Sequence, residues 1–379
     1  MKKIILFRNI CAGALLLFAL SFAACSDKDE GGSSGPITLS SITTIADMNT
    51  PISQAAMGDF IAVHGTGLDV RNIDSIYIND IKLDLGEVYT ENSILYLMIP
   101  VKLPLVESNK IYIYNKTGVH EFALIVVPPN LSLERMFNEY TMPGDTIMIY
   151  GYYFDLYEIN PENGVVDFNG KTSPVIASAD RYLLAKVPVD VDKNIRVKVR
   201  SIKYDTEAVC PGYYYDNREM ILDFDTKLPS NTNLIVTDPT DKMRLSGNFL
   251  RLDGTEEWGG WWYICDGVYY GNFTEDQLDH WNDYVIKCEF RTSNQFIADK
   301  IRFCTYLFWD AEPMYWVASD FNVQNFDRWE TIQLPFTRNY SATYPQNQHY
   351  QSFSIRLEID PSIARNFAFD NFRICKKGD

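Results

Sequence analysis

An internal repeat constrains the fold of this chain more than any other feature of its sequence. The segment GDFIAVHGTGLD at residues 58–69 aligns without gaps with GDTIMIYGYYFD at residues 144–155, an offset of 86 residues. Apolar and polar residues alternate with a period of two in both copies, which is typical of strands that bury one face. The sequence therefore predicts two successive all-β units of the same kind.

The segments that follow the two copies also occur in the same order. Each copy precedes a short run with an Asn (SIYIND, VVDFNG), a strand that ends near Pro (YLMIPV, LLAKVPV) and an alternating strand (KIYIYN, NIRVKV). The offset is close to the size of an immunoglobulin-like domain, which has about 100 residues. We therefore expect two tandem antiparallel sandwiches.

These segments resemble the IPT/TIG family of immunoglobulin-like modules. The glycines and aspartates of the repeat carry the resemblance, namely Gly58, Asp59, Gly65 and Gly67 in the first copy and Gly144, Asp145 and Gly151 in the second. The second copy departs from the first at Tyr153, which stands where the first has Gly67. The resemblance covers roughly residues 37–215 and implies modules that act as spacers in bacterial surface proteins.

A third unit follows the break at Pro211-Gly212. Its short alternating strands, YVIKCEF, KIRFCTYLF, TIQLPF, FSIRLEI and FAFDNFRI, predict a jelly-roll-like β-sandwich. The expected organisation is a signal peptide at 1–24, a tether at 25–36, IPT/TIG-like domains at 37–128 and 129–215, and a C-terminal β-sandwich at 216–379.

The N-terminus has the pattern of a secretory signal. Lys2, Lys3 and Arg8 precede an apolar run that is shorter than the roughly 20 residues of a membrane-spanning helix. The small residues before Cys25 resemble a bacterial lipobox, and the SDKDEGG that follows resembles the acidic export tag of Bacteroidetes lipoproteins. This predicts that Cys25 is acylated and that the protein lies on the outer face of the outer membrane. Ordinary signal-peptidase cleavage is the alternative.

The net charge and the spacing of cysteines and histidines argue against nucleic acid and zinc as ligands. The formal net charge of −16 argues against nucleic acid, because phosphate binding requires clustered Lys and Arg. No cysteine or histidine spacing predicts a zinc site. Five cysteines follow Cys25, so at least one is unpaired, and we interpret most of them as small buried residues: Cys210, Cys265, Cys288, Cys304 and Cys375.

All seven tryptophans lie between Trp258 and Trp329. A sugar presents a flat C–H face and a rim of hydroxyls, so its binding surface needs exposed rings beside planar hydrogen-bonding groups. We expect Trp281 and Trp329 to pack in the core, and only one of the adjacent Trp261 and Trp262 to do so. The expected ring platforms are Trp258, Trp261, Trp262, Tyr269, Trp309 and Trp316.

Strand alternation predicts polar groups beside these rings. Three strands of the C-terminal unit are expected to share a face that carries Glu289, Arg291, Arg302, Tyr306, Arg356 and Glu358. This face is either part of a glycan-binding site or a solvated surface with cross-strand ion pairs. The candidate glycan ligands from it are Glu289, Arg291, Arg302, Tyr306 and Arg356.

The order of the domains, with an acylated N-terminus and a final FAFDNFRI strand, resembles the surface glycan-binding lipoproteins of Bacteroidetes polysaccharide utilisation loci, of the SusE-positioned or SGBP-B type. The resemblance implies a monomeric, non-catalytic protein that captures a polysaccharide for a SusC/SusD-like transporter and a surface endo-glycanase. It points to a plant-type β-glycan, of the β-glucan or xyloglucan class. A different glycan such as β-mannan remains open.

Two other functions also remain open. A glycosidase needs two carboxylates across the sugar, and nothing in the sequence pairs the candidates Glu256, Glu257, Asp266 and Glu289. A protein-binding adhesin would use the IPT/TIG-like modules instead. No cofactor is expected except a structural Ca²⁺, which jelly-roll carbohydrate-binding modules often hold, and its candidate ligands are Asp223, Asp225 and Asp370.

Overall fold

The computed structural model describes residues 36–229, 232–255, 260–267, 274, 276–277, 280–293, 300–306, 314–316, 323, 325–336, 352–359 and 364–378. The strands at 260–267, 300–306, 314–316 and 352–359 are described by their backbone alone. The all-β prediction is confirmed, because these residues form 27 strands and three short 3₁₀ helices, Val70–Asn72, Leu85–Glu87 and Trp281–Asp283. Among them, no helix has the length and apolarity needed to cross a membrane.

The chain divides between Pro128 and Pro129 into two compact units. The first unit is a sandwich of two four-stranded sheets, ordered β1-β3-β7-β6 and β5-β4-β8-β9, with a parallel pair of β2 and β10. Alternate residues of its strands, such as Ile61, Leu95 and Ile111, are fully buried between the sheets. Its strands are β1 Thr38–Thr44, β2 Gln54–Ala56, β3 Phe60–Thr66, β4 Ser75–Ile78, β5 Ile81–Lys82, β6 Tyr89–Glu91, β7 Ile94–Met98, β8 Lys110–Asn115, β9 Gly118–Ala123 and β10 Ile125–Val127.

The second unit begins with a module that repeats this plan. Its strand order is β11-β12-β15-β14-β13-β16-β17, and β12 pairs with β15 in the register in which β3 pairs with β7. The repeat found in the sequence is therefore a repeat of strand pairing. The strands are β11 Ser132–Met136, β12 Thr146–Tyr152, β13 Gly164–Phe168, β14 Lys171–Ala179, β15 Tyr182–Lys186, β16 Val197–Ser201 and β17 Thr206–Val209.

The C-terminal domain of the second unit has two sheets. We name β19-β20-β27-β22-β25, with β18 on β27, the major sheet, and β21-β26-β23-β24 the minor sheet. Large rings such as Phe290, Phe369 and Phe372 fill the core against the major sheet. The strands are β18 Met220–Leu222, β19 Ile235–Val236, β20 Phe249–Gly254, β21 Gly260–Gly267, β22 Tyr284–Thr292, β23 Lys300–Tyr306, β24 Met314–Trp316, β25 Glu330–Pro335, β26 Ser352–Ile359 and β27 Arg365–Lys376.

Strand β27 is buried on both faces. Every residue from Phe367 to Cys375 is buried, although a strand at the surface of a sandwich normally buries alternate residues. One face contributes Phe369 to the core of the C-terminal domain, and the other contributes Arg373 to contacts with Glu139 of the preceding module. The outward face of the major sheet is therefore covered by protein.

Candidate functional site

The polar residues predicted to share one face belong to two different sheets. Glu289 and Arg291 lie on β22 of the major sheet, whereas Arg302 and Tyr306 lie on β23 and Arg356 on β26 of the minor sheet. The prediction of one continuous face was wrong, because alternation shows which face of its own strand a residue occupies and not which sheet the strand joins.

Glu289 is corrected from a glycan ligand to an interior residue. Its side chain is fully buried, and its Oε1 lies 2.9 Å from Nη2 of Arg373. Its Oε2 accepts a 2.7 Å hydrogen bond from the hydroxyl of Thr331. Burial raises the pKa of Glu289 to about 7, even though Arg373 lowers it. The residue points away from the core, as alternation predicts, but the preceding module covers it.

Arg291 also lies away from the minor sheet. Its Nη2 is 3.6 Å from Oδ1 of Asp327, and 19% of its side chain is exposed. Asp327 in turn accepts a 2.7 Å hydrogen bond from Ser293. Arg291 therefore belongs to an ion pair at the end of β22. Because β22 is not part of the minor sheet, the structure does not support Arg291 as a glycan ligand.

The minor sheet aligns the remaining polar candidates in one row. Arg302 of β23 lies directly opposite Arg356 of β26, which lies opposite Tyr263 of β21. Residues directly opposite in antiparallel strands share a face of the sheet. The neighbouring row places Trp261 opposite Glu358 on the same face. We name the positions Trp261, Tyr263, Arg302, Arg356 and Glu358 the minor-sheet face.

The register also separates the two adjacent tryptophans. Trp262 lies opposite Leu357, which lies opposite Ile301, and Ile301 lies opposite Trp316. This apolar row occupies the other face of the sheet, the one that alternation assigns to the core. The strand pairing therefore favours Trp261 as the platform and argues against Trp262 and Trp316.

Several expected residues lie outside the part of the chain that the structure describes. These are Trp258, Tyr269 and Trp309 among the rings, and Cys25 at the N-terminus. Their assignment as platforms and as the lipidation site remains a prediction. For Trp261, Trp262, Arg302, Tyr306, Trp316 and Arg356 only the backbone is described.

Trp329 and Trp281 pack as expected. Trp329 is 8% exposed, and its ring meets Phe249 edge-on at a centroid distance of 5.7 Å. Its indole N–H donates a 2.6 Å hydrogen bond to the carbonyl of Met243. Trp281 is partly buried against the main core of the domain. Both are structural rings, and three cysteines are free and buried as expected: Cys210, Cys288 and Cys375.

The three candidate calcium ligands do not fit a metal site. Asp223 accepts hydrogen bonds from the backbone N–H groups of residues 225–227, and Asp225 accepts one from Asn248. Asp370 is buried, its Oδ1 accepts the N–H of Asn371, and burial raises its pKa well above the usual range. Within the described ranges, no group of three or more Asp, Glu, His or Cys side chains is placed to hold an ion.

An interdomain ion cluster joins the second module to the C-terminal domain, and sequence reasoning missed it. We define it as Glu139, Lys287, Glu289 and Arg373, all buried. Oε1 of Glu139 accepts a 2.7 Å hydrogen bond from Nζ of Lys287, and Oε2 accepts a 2.6 Å hydrogen bond from Nη2 of Arg373. Charged residues inside otherwise apolar strands were the signal that could have indicated a covered face.

Backbone contacts continue this junction. The N–H of Thr331 donates to the carbonyl of Phe137 at 2.9 Å, and the N–H of Glu139 donates to the Thr331 hydroxyl at 2.8 Å. Arg135 forms a 2.8 Å ion pair with Glu330. Beside these contacts lies a cleft of about 460 Å³ whose walls include Met148 and Leu184 of the module and Arg244, Arg328 and Trp329 of the C-terminal domain.

Comparison with known proteins identifies the C-terminal domain. Residues 214–376 match the family model described as the surface glycan-binding protein B xyloglucan binding domain. The C-terminal domain is therefore similar to the glycan-binding domain of SGBP-B proteins. The resemblance expected from the sequence is thereby confirmed for the domain that holds all seven tryptophans.

Solved structures of surface glycan-binding proteins are similar to most of the chain. The surface glycan-binding protein PbSGBP-B from Prevotella bryantii aligns with a TM-score of 0.55 at 17% identity, covering 90% of this chain and 99% of that chain. SGBP-B from a complex xyloglucan utilization locus in Bacteroides uniformis aligns with a TM-score of 0.49 at 12% identity, covering 90% of this chain and 100% of that chain. No curated protein matches the sequence. The first likeness shows a common fold.

Proposed function

We propose that this chain is a non-catalytic polysaccharide-binding protein that captures a plant-type β-glycan, of the β-glucan or xyloglucan class, through its C-terminal domain. The observation that carries the proposal is the match of residues 214–376 to the SGBP-B xyloglucan-binding domain. The register of the minor sheet supports it, because a tryptophan position lies beside two arginine positions on one face.

The chemistry of this face suits a neutral sugar. An aromatic ring offers an apolar plate to the C–H groups of a pyranose, and guanidinium groups donate hydrogen bonds to the hydroxyls at its rim. Trp261, Arg302 and Arg356 supply these groups. In this proposal Trp258, Tyr269, Tyr306 and Trp309 add further contacts.

A panel of soluble polysaccharides in native affinity gels tests the proposal. We expect xyloglucan or mixed-linkage β-glucan to retard the full chain, and stronger retardation by β-mannan would change the glycan class. Trp261→Ala should weaken binding by about 1–3 kcal/mol, the value of a stacking ring. Its neighbour is the matched control, since Trp262→Ala should lower the unfolding temperature instead. Retention by none of the polysaccharides would contradict the proposed function.

The non-catalytic part of the proposal has its own test. Of the four carboxylates considered for glycosidase chemistry, Glu289 is buried in ion pairs and is excluded from contact with substrate. We expect no new reducing ends when the chain is incubated with the polysaccharide that it binds. A steady release of reducing ends that is lost on replacement of Glu256, Glu257 or Asp266 would indicate a hydrolase.

We also propose that the protein is held at the outer face of the outer membrane through acylated Cys25, where it presents glycan to a SusC/SusD-like transporter and an endo-glycanase. The support is the lipobox-like sequence and the domain order. Intact cells should expose the protein to added protease. Cys25→Ser should release it from the membrane fraction, and a membrane-bound Cys25→Ser protein would contradict the anchor.

A further inference from the structure

The second module carries four tyrosines at one surface, three of them more than a third exposed. Tyr152, Tyr153 and Tyr182 are each 37–38% exposed, and Tyr150 is half-buried. Tyr150 lies opposite Tyr182 across β12 and β15, and Tyr152 follows two residues later on the same face. We name these four residues the tyrosine face. It is an exposed aromatic surface on a domain that the sequence marks as a spacer.

The first module shows that the fold does not require these rings. The repeat places His64, Thr66 and Gly67 where the second module has Tyr150, Tyr152 and Tyr153. Ile94 lies opposite His64, as Tyr182 lies opposite Tyr150. One backbone plan is therefore built with aromatic residues in one copy and without them in the other. The difference is a property of the surface and not of the sandwich.

Tyr153 occupies a backbone conformation that costs free energy. Its φ is +68°, close to the +73° of Gly67 in the first module. A side chain in this left-handed region costs about 1–2 kcal/mol, and glycine avoids that cost. A bulky residue held there is uncommon and is typical of functional sites. Here the strained residue places a ring beside Tyr152, with a centroid distance of 6.3 Å.

Planar polar groups lie against the tyrosine face. The guanidinium of Arg181 lies 3.5 Å from the centroid of the Tyr152 ring and donates a 3.1 Å hydrogen bond to Glu134. Arg135 lies 4.8 Å from the centroid of the Tyr150 ring. Rings with apolar faces, phenol hydroxyls and guanidinium groups are the chemistry that recognises neutral sugars. Because Arg181 is paired with Glu134, the face has little net charge to attract an ionic partner.

The same face continues into the cleft at the C-terminal domain. Met148 and Leu184 are the next opposed pair after Tyr150 and Tyr182, and both line the cleft of about 460 Å³. Met148 and Tyr152 are four positions apart along β12, and the distance between them is about 13 Å. This length exceeds a single sugar ring. The surface therefore suits an extended chain that runs from the module toward the C-terminal domain.

We propose that the tyrosine face and the cleft form a second binding surface for a neutral polysaccharide. The polysaccharide molecule bound there is the same one that the C-terminal domain binds. The inference rests on the proposed function of that domain. Two linked surfaces on one compact unit raise the affinity for a long glycan, because the second contact becomes intramolecular. A short oligosaccharide that fills only the C-terminal site gains nothing from the tyrosine face.

The test uses the residues of the first module as replacements. In the full chain, Tyr150→His, Tyr152→Thr and Tyr153→Gly are combined, which converts this part of the face to its counterpart in a module that folds. Affinity is measured by calorimetry for the retained polysaccharide and for a short oligosaccharide cut from it. We expect about tenfold weaker binding of the polysaccharide and unchanged binding of the oligosaccharide. Arg328→Ala, in the cleft wall, should weaken only polysaccharide binding as well.

The matched control is Tyr89→Thr, because Tyr89 is a 52% exposed tyrosine of the first module. It should leave both affinities unchanged. Equal polysaccharide affinity in the triple variant, Arg328→Ala and the wild type would overturn the inference while leaving the proposed function intact. An equal loss for polymer and oligosaccharide would place the effect in the C-terminal site and also overturn it. Failure of the wild type to bind any polysaccharide would contradict the proposed function, and this inference with it.

Discussion

The carboxyl group of Glu289 lies in a fully buried set of opposite charges. Arg373 and the Thr331 hydroxyl contact its oxygens. Arg373 and Lys287 both pair with Glu139, and Asp370 lies opposite Glu289 across β22 and β27. Desolvation outweighs the attraction of Arg373, so the pKa of Glu289 rises to about 7. The folded state therefore keeps a proton that the unfolded state releases near pH 4.3, the ordinary value for Glu.

This proton predicts how stability depends on pH. The contribution of Glu289 to the unfolding free energy is fully present below about pH 4 and is lost as the pH rises to about 7. Glu289→Gln removes this contribution. Between about pH 5 and about pH 8 the wild type should therefore lose at most roughly 3 kcal/mol of unfolding free energy relative to the variant. Urea unfolding at both pH values measures this. Glu121→Gln, at an exposed ion pair in the first module, is the control.

A difference between wild type and Glu289→Gln that is the same at both pH values would contradict the assignment of the raised pKa to Glu289. The control should show no such shift, since Glu121 and Lys110 are both more than two fifths exposed. Solvent screens a pair of this kind, and its contribution to stability is small.

At the scale of strands, the glycines of the repeat have a steric reason. A β-carbon added to Gly65 would lie 2.0 Å from the carbonyl oxygen of Thr38, and one added to Gly151 would lie 2.5 Å from that of Ser132. Both glycines sit where the first strand of a module shifts register along its partner, between Leu39 and Ser41 in the first copy. The irregularity brings two backbones too close for a side chain.

Gly151→Ala should therefore lower the unfolding free energy by about 1–3 kcal/mol, the cost of overpacking. The added methyl group meets backbone and the ring of Phe154, neither of which moves freely. Gly86→Ala is the control, because there the new β-carbon meets only the flexible side chain of Asp84 at 3.3 Å. Thermal unfolding compares the two variants. Equal stability of both would mean that the register shift tolerates a side chain.

The same strands show how far sequence alone reaches. The period-two pattern and the repeat predict β3, β12 and the sandwiches, because that information lies within each strand. Alternation also predicts that Glu289 points away from Phe290. It does not predict that the face is covered, because the contact from Arg373 to Glu139 joins residues 234 positions apart. Likewise, only strand pairing shows that Trp262 and Trp316 share a row with Leu357 and Ile301.

At the scale of the molecule, the ion cluster joins the second module to the C-terminal domain. Residues 129–379 form one compact unit that includes the second module and the C-terminal domain. Its junction is buried and charged, and Lys287 and Arg373 of the C-terminal domain both pair with Glu139 of the module. A buried charge that loses its partner costs about 3–5 kcal/mol. The two domains are therefore expected to unfold together.

Tryptophan fluorescence can test this coupling, because all seven tryptophans lie in the C-terminal domain. Glu139→Ala changes a residue of the second module, which has no tryptophan, and leaves Lys287 and Arg373 without a shared partner. We expect the fluorescence transition in urea to move to lower denaturant, with a loss of about 3–5 kcal/mol. Glu207→Ala, which removes an exposed ion pair with Lys198 in the same module, should leave the transition in place. A fluorescence midpoint that Glu139→Ala does not change would show that the C-terminal domain is stable without the module, and that the junction positions the domains without stabilising them.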